Sequence, residues 1–523
     1  MQQERLDALF PLPSPPPSPL SPARLPGVTY DSGVALSKCL KDNHEKWHVF
    51  FNDRGFHNHA THHLLAIYQL GASGPLLDAA YQTHVSYMRP AFKSPDVITE
   101  QNFHEHLGDE KYYNAYLEFF SSVVLEKGAA TALEEYIFSA KANITAPASA
   151  KLPNQMLDRF LAGLLHPLIH TGYGCEFGLP GMLAEGLAQT AVHSPAAPTL
   201  IPASLFKHTV SVPADAISAS VARLTALMPS LVLEKLHNVV PAIELKQPKG
   251  RGIHALTILA QILNDRDFTP AAIGLPTPDD NGVSAFTHVV ETRGERLVAL
   301  TEAWTVDGAD AQEVASKIEE LIWMNVIIYG VGGWAGRKTV ENGRFNADFL
   351  QMHLVTSVLF LHSLVAYLSP TSTSILLRTY LTSSLAWWVA RGRPSLPIRE
   401  FYEFVTAHPV EHGAPHVPPV KDALVREDPS PNPWLPILQT TLMHPNEHLC
   451  KLQRALPHFS VLYGTKKPGD FAHLAESADA PLEGADVLDG TLFLRVAGLT
   501  AERLGWMREG EENKGWDFKG FFD

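Results

Sequence analysis

From Tyr30 onward, window after window places its apolar residues at helical spacing, and almost none alternates with the period of two that a half-buried strand needs. Leu157, Phe160, Leu161, Leu164, Leu165 and Leu168 form the i, i+3, i+4, i+7 stripe of an amphipathic helix. The same reading predicts helices over 35–46, 60–70, 111–125, 130–138, 155–169, 182–190, 216–228, 311–328, 348–368, 374–390 and 444–456. Short Pro, Gly, Asn and Asp clusters punctuate them, and nothing after residue 27 is long and polar enough to be an interdomain linker. The expected fold is all-α: one large single-domain helical bundle with long irregular loops, residues 28–523. Residues 1–27 read differently. The run PLPSPPPSPLSPARLP suits neither a helix nor a sheet interior and offers little to bury, so a disordered arm is expected there.

The chain carries 41 Lys+Arg against 55 Asp+Glu, a formal charge of −14, which argues against the clustered basic surface that phosphate-backbone binding requires. No nucleic-acid partner is expected. Cys39, Cys175 and Cys450 stand far apart, so neither a CxxC ligand pair nor a disulfide framework is expected, and a reducing, intracellular and cytoplasmic setting follows as an expectation. The N-terminus runs into prolines without the basic and apolar regions of a secretory signal. The most apolar stretch, 350–368, is interrupted by His353, Thr356, Ser357, His362 and Ser363, the pattern of a buried helix and not of a membrane span.

YGVGGWAGRKT holds Gly330, Gly332 and Ala335 at the loose spacing of a dinucleotide-binding turn. The residues after it, 337–346, are polar where such a turn needs an apolar helix, and Arg337 stands where a Walker loop needs lysine. A glycine-rich turn that lets backbones approach closely is expected instead. HPNEH, residues 444–448, matches the inverted zinc-protease pattern, yet Pro445 suits the first position of a helix, so His444 reads as an N-cap and Glu447 as a first-turn acid.

Among 25 histidines, two pairs stand out. His59 and His63 in HNHATHH are one helical turn apart and so share a face, with His62 as the i+3 alternative. His166 and His170 close DRFLAGLLHPLIH, where Pro167 removes a helical hydrogen bond and Gly163 leaves room for its ring. His353 sits in the apolar helix FLQMHLVTSVLFL. Helices that each offer imidazole toward an apolar interior are how a bundle builds a metal centre, and the lack of a Glu-x-x-His pattern argues against a di-iron carboxylate site. Imidazole suits iron, copper and zinc alike. The competing reading is a metal-free helical binding or scaffold protein whose histidines are structural.

The segments HVFFNDRGFHNHATHHLLAIYQLGAS, LGDEKYYNAYLEFF, HPLIHTGYGCEFGLPGMLAEGLAQTAVH, DFLQMHLVTSVLF, LAWWVARGRP, HPNEHLCKLQRAL and GWDFKGFFD together resemble the questin oxidase-like family of fungal secondary metabolism. The resemblance implies an O2-dependent oxidoreductase, of mono- or dioxygenase type, that performs Baeyer-Villiger oxygenation and ring cleavage of an anthraquinone-type polyketide with NADPH as reductant. Flavin enzymes of that reaction need two dinucleotide fingerprints and this chain has one defective copy, so no flavin is expected. Non-haem Fe(II) held by imidazoles is expected in its place. The expected ligands are His59, His63, His170 and His353, with His166 interchangeable with His170.

Members of the family add an oxygen donor, in some cases a carboxylated lysine on a helix after the His353 motif. Here no lysine lies between Lys338 and Lys421, and Arg378 cannot serve because it stays protonated. Glu176 or water is the expected substitute. Tyr173, Phe177, Trp387 and Trp388 are expected to line an aromatic pocket, Tyr112, Tyr113 and Tyr173 are candidate proton donors, and Arg54 is the candidate to orient an ionised phenol. The expected partners are a small aromatic polyketide and O2, with no membrane involved.

Overall fold

The helical stripes of the sequence pack on one another, and among the described residues no strand forms, only isolated bridges such as Trp47 with Pro90 and Phe50 with His57. The all-α expectation holds. The structure is a computed structural model that describes residues 2–146, 152–206, 252–277, 282–336, 345–411, 420–424 and 430–522. The helix expected over 216–228 lies outside these residues. The elements that matter below are α1 (Gln2–Leu9), α2 (Tyr30–Lys46), α3 (Ala60–Gln69), α4 (Gly74–Val85), α5 (Tyr113–Lys127), α6 (Met156–Phe177), α7 (Pro180–Val192), α8 (Gly282–Thr301), α9 (Ala311–Val326), α10 (Phe349–Val358), α11 (Pro370–Ala390), α12 (Glu447–Tyr463) and α13 (Leu492–Leu504).

Helix α7 lies along α5 and α6, α8 along α11, and α12 against α3 and α13, while α10 crosses α6, α9 and α12. Two glycines set the closeness of α6 and α7. A methyl group at Gly174 would stand 2.7 Å from the Leu183 nitrogen, and one at Gly186 would stand 2.8 Å from the Thr171 nitrogen. The apolar run 348–368, expected as one helix, is broken after Val358 and resumes as Leu361–Val365. At the break Phe360 packs where a Gly172 side chain would be, 2.5 Å from an added Cβ, and its ring stands 4.6 Å from that of Tyr173.

The N-terminal segment corrects the expectation of a disordered arm. α1 forms ahead of the first proline, and Leu6, Leu9 and Phe10 are buried. The Phe10 ring occupies the space over Gly181 of α7, and Ser37 donates to the Phe10 carbonyl at 2.9 Å. The proline-serine run then lies against the bundle: Ser14 donates its amide to the Phe177 carbonyl at 2.9 Å, and the hydroxyls of Ser21 and Ser363 bond at 2.8 Å. Proline excludes helix and sheet but not an extended strap, and the apolar residues upstream supply the burial that offsets its ordering. Replacing Phe10 with alanine is expected to cost roughly 3–5 kcal/mol in urea unfolding, because the cavity over Gly181 cannot close.

The glycine motif is also corrected. Ile327–Val331 is a π-helical turn that carries α9 on into Gly332–Ala335, so the segment is helical where a turn was expected. The close approach itself is present, since a Cβ on Gly333 would stand 2.6 Å from the Asn346 carbonyl oxygen. The start of α10 is fixed by Asp348, whose carboxylate accepts the amides of Leu350 and Gln351 and the Arg391 guanidinium at 2.7 Å. Both partners of that pair are buried. Arg391→Ala leaves the Asp348 charge without its counter-ion, and a loss of roughly 3–5 kcal/mol is expected from denaturant titration. Cys39, Cys175 and Cys450 are free and buried, and no described helix is long and apolar enough to cross a membrane.

Candidate metal centre

Four helices bring imidazoles to one buried place. His59 is the residue before α3, with φ −100° and ψ 4°, so its side chain leaves the stripe that His63 follows. His166 is aimed by a break in α6, where Ala162 to Leu165 depart from helical geometry and Gly163, Leu164 and Leu165 take φ of 54°, 57° and 64°. Left-handed leucines are costly, and strain of this kind persists only where the surroundings enforce it. The Gly163 carbonyl accepts the His166 Nδ1–H at 2.6 Å, and the His193 ring fills the space beside Gly163, 2.5 Å from where a Cβ would stand. His353 comes from α10 and His448 from the first turn of α12.

The Nε2 atoms of His59 and His166 approach to 2.8 Å, and donor atoms of His59, His166 and His448 all lie within 4.8 Å of one another. The His353 ring is centred 4.9 Å from that of His166 and 5.2 Å from that of His448. Their protons are assigned by their partners. His166 gives its Nδ1–H to the Gly163 carbonyl, His353 gives its own to the Phe349 carbonyl at 2.7 Å, and the His448 Nδ1 faces the Glu447 carboxylate at 3.2 Å. The Glu447 carboxylate also stands 3.7 Å from the His59 Nδ1. Nε2 of His353 and Nε2 of His448 are consequently bare, buried and without a hydrogen-bond partner. An imidazole held at Nδ1 by a carbonyl or carboxylate, with Nε2 free, is the arrangement of a metal-ligating histidine.

Lys451 lies one helical turn beyond His448 on α12 and is 2% exposed, with an Nζ that has no partner. Burial lowers its pKa to about 8, with Glu447 acting in the opposite direction. Burial likewise holds His57, His59, His62, His166 and His353 well below the ordinary imidazole value, helped by Lys451 and by one another, and brings His448 to about 4. For Glu447, burial would raise the pKa, but His448 and His84 bring it below the ordinary carboxylate range. The donor set is therefore neutral imidazoles backed by one carboxylate, which suits a divalent transition ion and disfavours magnesium or calcium.

A depressed imidazole pKa means that the folded protein refuses a proton the unfolded chain accepts. Stability from this source is complete above pH 6.5 and falls as the pH drops below it, by about 1.4 kcal/mol per pH unit for each such histidine. With His57, His59, His62, His166 and His353 acting together, metal-free protein is expected to lose stability steeply as the pH falls below 6.5, as followed by circular dichroism.

Of the residues singled out in the sequence, His59, His166 and His353 come together and the others do not. His63 faces away: its Nδ1 meets the His84 Nε2 at 3.0 Å, and His84 in turn meets the Tyr87 hydroxyl at 2.6 Å. His170 is held between the His62 Nε2 at 3.0 Å and the Glu185 carboxylate at 2.8 Å, so both of its nitrogens are engaged. Glu176 is paired with the buried Arg454 guanidinium and not with the imidazoles. Arg54 is exposed, its guanidinium over the Phe56 ring, and orients nothing in the interior.

Tyr173 is buried beside the site, its ring 5.2 Å from that of His62 and its hydroxyl without a partner. Phe177 packs near it at 6.1 Å, whereas Trp387 stacks on Phe286 at 4.1 Å. Tyr112 stacks on His106 at 3.7 Å, and Tyr113 meets His48 edge-on at 5.1 Å. His448, Glu447 and Lys451 were missed. The signal was present in HPNEH, but Pro445 diverted it: His444 caps the preceding helix Trp434–Met443, the N-cap of α12 is Asn446, and the ligand pair is not His444 with His448.

Comparison with known proteins adds an independent line. The family model described as Questin oxidase-like matches residues 56–456, a span that opens just before His59 and closes just after Lys451. A Baeyer-Villiger monooxygenase of Cryptosporiopsis sp. (strain 8999) is 26% identical over 66% of this chain and 66% of its own length. A Baeyer-Villiger oxidase of Pestalotiopsis fici is 27% identical over 62% of each, and the questin oxidase of Aspergillus terreus is 24% identical over 71% of this chain and 72% of its own. The aligned region thus spans about two thirds of the curated relatives' length. Since the match takes in most of the chain and every histidine of the cluster, this protein belongs to the questin oxidase-like family.

Proposed function

We propose that the protein is an oxidoreductase of secondary metabolism that carries out Baeyer-Villiger-type oxygenation and ring cleavage of an anthraquinone-type polyketide, with NADPH as reductant, at a non-haem Fe(II). His59, His166, His353 and His448 would hold the metal. The observation that carries this reading is that these histidines meet in a buried interior, with the Nδ1 protons of His166 and His353 given to carbonyls, the Nδ1 of His448 facing Glu447, the Nε2 atoms of His59 and His166 turned to each other and those of His353 and His448 bare. Hydrogen bonding alone does not account for His353 and His448, because their bare buried Nε2 atoms cost stability unless something binds them. Iron(II) bound there supplies the activation of dioxygen that a closed-shell aromatic substrate needs.

The chain's own residues do the rest. Glu447 keeps the His448 proton on Nδ1, and the Phe349 and Gly163 carbonyls do the same for His353 and His166, so the Nε2 lone pairs stay available. For the oxygen donor we propose Lys451, carboxylated on Nζ: burial lowers its pKa, so the neutral amine can attack CO2, the N–C bond forming as one N–H proton leaves to solvent, and the resulting carbamate would put an anionic oxygen donor where an unpartnered cation stood. This places the lysine on the α12 helix, well after the His353 motif, and Glu176 is not needed. Tyr173 and Phe177 offer aromatic surface to a planar substrate.

The reading is tested by incubating iron-loaded protein with a hydroxylated anthraquinone, NADPH and isotopically labelled O2. A ring-opened product carrying label from the gas is the expected result. Unchanged quinone from protein that has kept its iron would contradict it.

A further inference from the structure

A second chain of polar groups reaches the same interior without contributing to the four imidazoles. His44 donates from Nδ1 to Glu185 Oε1 at 2.6 Å, and His170 donates from Nε2 to Glu185 Oε2 at 2.8 Å. Burial would raise the Glu185 pKa, but the bonds from His170 and His44 bring it to about 2, so this is a carboxylate that only accepts. A His170 with one proton therefore keeps it on Nε2 and presents a lone pair at Nδ1. That lone pair lies 3.0 Å from the His62 Nε2, which must be the donor. The proton of a neutral His62 is thus committed to His170, and its Nδ1 is left as a bare acceptor. This atom is buried and has no partner. The surroundings are the ring of Tyr173 stacked at 5.2 Å and the rings of His59 at 5.7 Å and His166 at 6.4 Å.

We infer that His62 is a specificity-determining residue: its Nδ1 accepts a hydrogen bond from a phenolic hydroxyl of the aromatic substrate, and Glu185 and His170 are positioning residues that fix its tautomer. This deepens the proposed function and rests on it for the class of substrate. An acceptor enforced by a carboxylate two residues away cannot turn into a donor without breaking the chain, so the site selects a hydroxyl over its methyl ether. The Tyr173 ring stacks on the imidazole with centres 5.2 Å apart and planes 25° from parallel, so the Nδ1 lone pair, which lies in the imidazole plane, is met at the edge of the ring and not through that face.

The test is anaerobic equilibrium binding of β-hydroxyanthraquinone and its methyl ether to the full-length, iron-loaded protein, with iron content measured on each sample. The wild type is expected to prefer the hydroxyl compound by about tenfold, the factor one net hydrogen bond supplies. His62→Phe, which keeps the flat ring and removes the acceptor, is expected to bring the ratio close to one while keeping its iron. Glu185→Gln, which leaves His62 in place, is expected to lower the ratio severalfold through the tautomer alone, an effect a merely structural role would not produce. Should His62→Phe not fold, the Glu185→Gln ratio decides.

A wild-type protein that binds both compounds equally, or an unchanged ratio in His62→Phe or Glu185→Gln, would overturn the inference and leave the proposed function standing. Loss of iron in His62→Phe would overturn it in favour of His62 as a ligand. Failure of the wild type to bind either compound would overturn it together with the substrate reading.

Discussion

His448→Ala is expected to lower the metal affinity of the purified protein by more than about 100-fold and to abolish turnover, since loss of a ligand exceeds the usual cost of losing one of its supporting partners. The expectation rests on three facts about one side chain. Its Nδ1 faces the Glu447 carboxylate, its Nε2 is bare in the interior, and its donor atoms lie within 4.8 Å of those of His59 and His166. Glu447→Gln is the graded companion, because the amide still approaches His448 Nδ1 but no longer enforces the proton there. It is expected to lose about 10- to 100-fold in metal affinity and to keep the fold. His63→Ala, at a position the sequence offered as a ligand, is expected to retain the metal, because His63 is bonded to His84.

Lys451→Ala is expected to reduce turnover by about 100-fold, with partial recovery on adding a short carboxylate such as propionate, and no recovery with propylamine. The reason is chemical. A buried, unpartnered ammonium beside imidazoles that are themselves to hold a cation opposes metal binding, whereas its carbamate favours it. Rescue by an anion and not by an amine separates the two states of the side chain, and intact-mass measurement under CO2 would detect the adduct. Full activity in Lys451→Arg would contradict the proposal, since a guanidinium stays cationic and forms no carbamate.

The fold was largely readable because each helix carries its own apolar stripe, as Leu157 to Leu168 do, and because strand-type alternation is almost absent. What escaped depends on contacts between distant segments. The proline-serine run has the composition of a disordered arm, and what orders it is the Phe10 ring over Gly181, a contact no local pattern announces.

The candidate site was legible to the extent that ligands sit in conspicuous local patterns. Helical spacing suggested that His59 pairs with His63 and that His166 and His170 are equivalent, and it misled in both cases. His59 precedes its helix instead of lying in it, and beyond the break at Ala162 to Leu165 His166 meets His59 and the Gly163 carbonyl whereas His170 meets His62 and Glu185. The lysine proposed as oxygen donor, Lys451, lies on α12 and not on the helix next after His353, and its position near the imidazoles follows from tertiary packing that no local pattern announces.

The most direct measurement is the iron content of the protein as purified, together with that of the His59→Ala, His448→Ala double variant. Close to one iron per chain in the wild type, and none in a double variant that is still folded, is what this account predicts. Wild-type protein that is free of transition metal and turns over a hydroxylated anthraquinone at full rate would contradict it.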